Sequence, residues 1–194
     1  MTTTYLLHGG ETSRDTPDNE LFFRHFSDLV EKDTVDILMC YFSKEEGTWD
    51  ALFNRDKAKI QKLTTKETQL SLAKDPEDLL KKLDYHDVLY VAGGQAELIE
   101  PLFSQLSGLK DKLNGKIYIG SSMGAFLASD HYVLSFENQE NRHAHRGLGL
   151  LPINTLCHWD IEKEKDFKVG LLKQTYSETP ILTLNECKFS QLIN

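Results

Sequence analysis

The stretch Gly120-Ser121-Ser122-Met123-Gly124 places a hydroxyl between two glycines, directly after the apolar run Ile117-Tyr118-Ile119. Gly120, Ser122 and Gly124 fit the spacing G-x-S-x-G. In that pattern a strand turns into a helix so sharply that the apex residue is strained and its neighbours must be small. The apex hydroxyl then projects beyond the sheet. The next N–H, that of Met123, points the same way, and the helix N-terminus adds a field that favours an oxyanion. A serine so placed is suited to attack a carbonyl and carry the acyl group. The bland alternative is a Gly/Ser turn that caps a helix.

A serine hydroxyl is a weak nucleophile and needs a base. Among the seven histidines, His158 follows the apolar stretch 153–157 and should emerge at a strand end, on the rim that carries Ser122. His8 ends the first strand and could line a cleft. His25 and His86 fall on or beside helices, where surface positions are expected. His143 and His145 form an H-x-H in a polar loop, but no cysteine or third histidine lies near enough to complete a metal site, so no metal and no cofactor is expected. The base in turn needs a carboxylate to orient it. Glu137, between serine and histidine in chain order, is favoured; Asp160, two residues past His158, is the alternative, and Asp130 the weaker third. Gly93 and Gly94 end another buried strand at the same rim and let a backbone N–H approach a carbonyl oxygen closely. An N–H of Gly93 or Gly94, with that of Met123, is thus the candidate oxyanion pair, and Gly93 and Gln95 are candidate substrate contacts.

These residues need a scaffold, and the chain alternates short β-rich runs with longer helical ones. Strands are expected at 3–9, 35–43, 68–73, 88–94, 115–122, 132–137, 153–159 and 180–185. Helices are expected at 18–32, capped by Asp18, and at 49–63, 75–83, 96–106, 123–129 and 162–176, with Pro101 near the first turn of the fourth or kinking it. Asp75 followed by Pro76 is a cap with proline at the first helical position. Runs such as Val35-Asp36-Ile37-Leu38-Met39-Cys40 and Val88-Leu89-Tyr90-Val91 are nearly continuous in apolar residues, as strands covered on both faces are. Strand–helix alternation of this kind specifies an α/β fold, a three-layer α/β/α sandwich with a mainly parallel sheet. In such sheets ligands sit beyond the carboxyl ends of the strands, where the glycine-bracketed serine lies.

The chain has 194 residues and no internal repeat or composition break, so one domain spanning 1–194 is expected. A formal charge of −8 argues against nucleic acid and anionic membranes as partners, since both need a basic face. No apolar stretch approaches the ~20 residues of a membrane span, and the N-terminus lacks a secretory pattern. Cys40, Cys157 and Cys187 lie far apart, as reduced thiols of a cytoplasmic protein do. A monomer or homodimer is expected.

The segments Val91-Ala92-Gly93-Gly94-Gln95, Ile117 to Ser129 and Gly147 to Asp160, in that order and spacing, resemble the peptidase S51 family, which comprises dipeptidase E and its relatives within the class I glutamine amidotransferase-like superfamily. The resemblance covers roughly residues 3 to 185 and is sharpest from Val88 to Asp160. It implies a flavodoxin-like sandwich and hydrolysis of short peptides, with Ser122 as nucleophile, His158 as base, Gly94 and Met123 as oxyanion hole, and Glu137 at the acidic position. Three departures stand out. Met123 replaces the usual alanine and is expected to put a long side chain near the cleft. The segment after His158 has lysines but no arginine to grip a substrate aspartate, so strict Asp-X specificity is not expected, with Arg142 and Arg146 in the preceding loop as the candidate substrate contacts that could substitute. The family generally continues into further strands, which implies a trimmed edge here. Rival readings are a non-catalytic binding member of the superfamily and a small esterase. An amidotransferase would need cysteine where Ser122 stands.

Overall fold

The computed structural model describes residues 2–134 and 142–194. Its main sheet holds six strands in the order β10-β1-β5-β4-β2-β3. These are β1 (Thr4–His8), β2 (Thr34–Cys40), β3 (Glu67–Leu72), β4 (Val88–Val91), β5 (Ile117–Ser121) and β10 (Phe189–Ile193). All neighbours pair in parallel except β10, which runs antiparallel along β1. A smaller sheet, β7-β6-β8-β9, consists of β6 (His131–Tyr132), β7 (His145–Arg146), β8 (Asn154–Leu156) and β9 (Ile181–Thr183).

The apolar runs behave as strands buried twice over, because side chains alternate across a pleat. Leu7, Leu38, Leu89, Val91 and Tyr118 join one core cluster, while Leu6, Ile37, Met39, Val88, Tyr90 and Ile119 join the other. Two long helices, α1 (Pro17–Asp28) and α2 (Trp49–Leu63), close the second cluster with Phe22, Phe23, Phe26 and Ile60. The first is closed by α3 (Pro76–Lys82), α4 (Ala96–Ile99), α5 (Leu109–Lys112) and α6 (Met123–Ala128). The last helix, α7 (Lys165–Thr175), seats Leu172 against Val133, just past β6, and Leu156 of β8. Each fully buried Leu, Ile or Phe contributes roughly 1.5–3 kcal/mol by leaving water. Among the described residues no helix is long and apolar enough to cross a membrane.

Local signals mostly hold. Asp75 caps α3 by accepting the Asp78 N–H at 2.8 Å, with Pro76 in the first turn. Two expectations are corrected, and the effect of Pro101 is made specific. Thr16, not Asp18, caps α1: its hydroxyl accepts the Asn19 N–H, and Pro17 takes the first helical position. Pro101 splits the helix expected over 96–106, so that α4 continues as a tighter 3-10 stretch over 100–106. Of the strand expected over 132–137, the described residues hold only Tyr132 in the two-residue β6, and 135–141 lie outside the described residues.

Candidate active site

Strands β1, β5, β4 and β2 end along one rim, and the site is assembled there. Ser122 stands between β5 and α6 with φ 49° and ψ −106°, outside the ordinary wells for an L-residue. The flanking glycines make that turn sterically possible. A Cβ on Gly120 would come within 2.4 Å of the Gly124 carbonyl oxygen, and one on Gly124 within 2.2 Å of the Val91 oxygen. The Ser122 N–H is tied to the His8 carbonyl at 2.9 Å, which locks the apex to the end of β1.

His158 follows β8 and has a positive φ of 54°. Its N–H donates to the Gly9 carbonyl at 3.2 Å, and the Trp159 N–H to the Leu184 carbonyl at 3.0 Å. So held, the ring brings Nε2 to 3.0 Å from Ser122 Oγ and Nδ1 to 3.0 Å from Glu186 Oε1. A neutral ring satisfies both contacts in one tautomer: Nδ1–H donates to the carboxylate, and Nε2 keeps a lone pair for the serine hydroxyl. The Glu186 side chain is only 7% exposed, and its other oxygen accepts from Arg14 Nη1 at 2.7 Å. Gly10, with φ +115°, lies against the imidazole, where a Cβ would come within 2.3 Å of Cε1.

Among the described residues the non-glycine positions with positive φ are Glu11, Ser122, His158 and Cys187. All four belong to the serine, the histidine or the two segments that border them. Backbone strain of about 1–3 kcal/mol per residue persists only where the surroundings over-determine it.

The carboxylate on the ring was not foreseen. Asp160 does not touch the imidazole; its Oδ1 accepts the Glu186 N–H at 2.8 Å and so fixes the backbone of the residue that does. Glu137 lies outside the described residues. The usable signal for Glu186 was a carboxylate just past the expected strand at 180–185, at the same sheet end as His158.

A cleft of about 290 Å³ opens over Ser122 and His158 and is bordered by Gly93, Gly94, Tyr41, Tyr90, Lys44 and Arg55, among others. Gly94 needs its missing side chain, since a Cβ would sit 2.0 Å from the Ser43 carbonyl oxygen. The turn after β2 is bound to this strand end: the Gln95 N–H donates to Ser43 O at 2.7 Å and Ser43 Oγ to Ala92 O at 3.0 Å. Met123 opens α6, so its N–H has no partner within the helix. Its side chain is 1% exposed and joins the core, which corrects the expectation that it would project near the cleft.

Three candidate substrate contacts are not brought to this cleft. Gln95 is exposed beyond its border. Arg142 pairs with Glu164 and lies over the Phe167 ring at 5.0 Å, and Arg146 is exposed on β7. The Lys and Arg side chains that border the cleft are Lys44 and Arg55, neither of them a candidate from sequence. Arg55 directs Nε and Nη2 to Asp56 Oδ1 at 2.8 and 2.7 Å, and Tyr41 Oη donates to Asp56 Oδ2 at 2.8 Å. Burial, reinforced by Asp56, raises the Tyr41 phenol well above its ordinary range, so Tyr41 stays a neutral donor.

His8 is fully buried rather than part of the cleft. Nε2–H donates to Asn19 Oδ1 at 2.9 Å and Nδ1 accepts the Gly10 N–H at 3.1 Å. Burial pushes its pKa down to about 4, against the opposing pull of the Asn19 bond, and the charge of nearby His158 lowers it further. His8 is thus a neutral strut behind Gly10. His25 bonds Gln191, and His86 bonds Ser71 and the Lys82 carbonyl. His145 bonds Glu100 with its ring stacked on His143, and among the described residues no group of three or more metal-ligating side chains converges.

Comparison with known proteins agrees with this architecture. A crystal structure of a peptidase from an acI-B1 actinobacterium superposes with a TM-score of 0.67 at 15% identity, covering 100% of this chain and 84% of that one. A putative peptidase E protein from Listeria monocytogenes EGD-e gives 0.63 at 14% identity, covering 100% and 98%. At such identities the likeness is one of fold. No curated protein matches the sequence. The model of peptidase family S51 matches residues 5–190, nearly the whole chain, and the chain therefore belongs to that family of peptidases.

Proposed function

We propose that this peptidase hydrolyses short peptides, dipeptides above all, by acyl transfer through Ser122, His158 and Glu186. The observation that carries the reading is the continuous relay from Ser122 Oγ through both imidazole nitrogens to a nearly buried carboxylate. Ser122 Oγ attacks the scissile carbonyl while His158 Nε2 takes its proton. Glu186 stabilises the imidazolium that forms, and His158 returns the proton to the leaving amine. The N–H groups of Gly94 and Met123 hold the oxyanion, a contribution of about 3 kcal/mol per donor in comparable sites. Water then enters by the same acid–base route and releases the acyl group.

The cleft, at about 290 Å³, is comparable to the smallest small-molecule sites and suits a dipeptide better than a long chain. Strict selection of an aspartyl residue is not expected. The Arg55 fork is already engaged by Asp56, and Lys44 is a point charge rather than a bidentate clamp. Three buried, free cysteines suit a reducing compartment, and we place the enzyme in the cytoplasm.

The test compares hydrolysis of Asp-X, Ala-X and Leu-X dipeptides by the wild type and by Ser122→Ala. Cleavage of more than one series, lost in Ser122→Ala, is the expected result. Exclusive cleavage of Asp-X would overturn the relaxed specificity. Activity that survives Ser122→Ala would overturn the mechanism.

A further inference from the structure

We infer that Arg14 is a positioning residue for the acid of the site: it holds the Glu186 carboxylate turned so that Oε1 faces His158. The inference rests on the triad proposed above, and it names a residue 172 positions away from its partner in the chain.

The two carboxylate oxygens of Glu186 have separate partners. Oε1 lies 3.0 Å from His158 Nδ1 and Oε2 lies 2.7 Å from Arg14 Nη1. The side chain is 7% exposed, and a carboxylate so nearly buried calls for a paired cation. Arg14 supplies that cation from behind, because it is not among the residues that border the cleft. Its own placement is fixed. Its carbonyl accepts from Asn19 Nδ2 and Lys59 Nζ, each at 2.8 Å, its N–H donates to the Glu11 carbonyl at 3.1 Å, and its Nε lies 3.2 Å from Glu11 Oε2. Asn19 also accepts from His8, whose other nitrogen holds the Gly10 N–H beneath the imidazole. One polar cluster at the start of α1 thus sets both the base and the acid.

A sign for the pH dependence follows from charge alone. The proton that disables the site is taken up by the His158–Glu186 pair, however it is shared between them. The fixed positive charge of Arg14 opposes that uptake. The other groups facing the pair are Glu11 on Arg14, Asp160 on the Glu186 N–H, His8 behind Gly10 and the Cys187 thiol beside Glu186. None of them is removed when Arg14 is replaced. Loss of Arg14 therefore moves the acid limb of the rate profile to higher pH, by about half a unit for a half-exposed cation.

The experiment measures kcat, KM and the pH profile of kcat/KM for the wild type, Arg14→Ala and Arg14→Lys. For Arg14→Ala, kcat should fall on the order of tenfold to a hundredfold, with KM within about twofold and the acid limb displaced upward. Arg14→Lys should restore the limb and recover most of kcat. An unchanged kcat and limb in Arg14→Ala would overturn the proposal. So would a change confined to KM, which would make Arg14 a substrate contact, or an acid limb in Arg14→Lys displaced as far as in Arg14→Ala. NMR titration of the His158 ring in a Ser122→Ala background reads the same displacement without turnover. Absence of hydrolysis by the wild type would remove the peptidase mechanism, whereas an unmoved His158 titration in Arg14→Ala would remove the role of Arg14.

Discussion

Replacing Gly10 by alanine tests the geometry of the base without touching a reacting atom. The added Cβ would lie 2.3 Å from His158 Cε1, 2.9 Å from Nε2 and 3.1 Å from Nδ1. An ordinary carbon–carbon contact is about 3.5 Å or more, so the imidazole must retreat by roughly 1 Å. Cε1 lies between the two ring nitrogens. A retreat from it lengthens both the 3.0 Å contact to Ser122 and the 3.0 Å contact to Glu186. A misplacement of about 1 Å in a catalytic group costs on the order of 10²-fold in rate. Gly10 also has φ +115°, a conformation that strains alanine by about 1–3 kcal/mol. The assay is dipeptide turnover per folded molecule, with folding followed by circular dichroism. Gly47→Ala is the control, because a Cβ there meets nothing within 4 Å. A folded Gly10→Ala enzyme with kcat within about threefold of the wild type would refute the claim that this loop sets the ring.

Glu186→Gln should lower kcat on the order of 10³-fold, whereas Asp160→Asn should cost less than about tenfold, because the amide oxygen can still accept the Glu186 N–H; steady-state kinetics of the two variants decides between them. His8, held neutral with its pKa pushed down to about 4, takes up a proton below its ordinary 6.5 only when the chain unfolds. Its contribution is complete above that value and is lost as pH falls towards 4, so the wild type should lose about 2 kcal/mol more than His8→Gln between about pH 7 and 5 in urea unfolding. Gly170→Ala, within α7 and with open space for a Cβ, should stabilise the protein by about 0.5–1 kcal/mol, read as a higher Tm with unchanged activity.

The layered fold was legible because β2, β4 and β5 are buried on both faces, and such strands must be nearly continuous in apolar residues. The turn at Ser122 was legible because its steric demand falls on residues two positions away on either side. Glu186 was not, since nothing local marks it. It reaches His158 because the chain after β9 crosses the end of β1, where the Gly9 N–H bonds the Lys188 carbonyl at 2.9 Å and the Cys187 N–H bonds the Gly10 carbonyl at 3.0 Å. The strand that completes this crossing, β10, went unread because an edge strand is half exposed and its Phe-Ser-Gln-Leu-Ile lacks a buried strand's apolar run. The Met123 side chain was misplaced for a related reason. At the first residue of a helix that packs on the sheet, the side chain turns into the core. Arg55 and Lys44 were missed because a helix and a turn bring them to the rim from positions with no motif around them.

The central claim is that Ser122 is a nucleophile activated by His158. Labelling of the folded protein with a fluorophosphonate, followed by intact mass and peptide mapping, tests it most directly. The account predicts one equivalent of phosphonyl group on Ser122, with none in Ser122→Ala and much slower labelling in His158→Ala. Labelling at Ser121 or any other residue, or no labelling of the folded wild type, would contradict it.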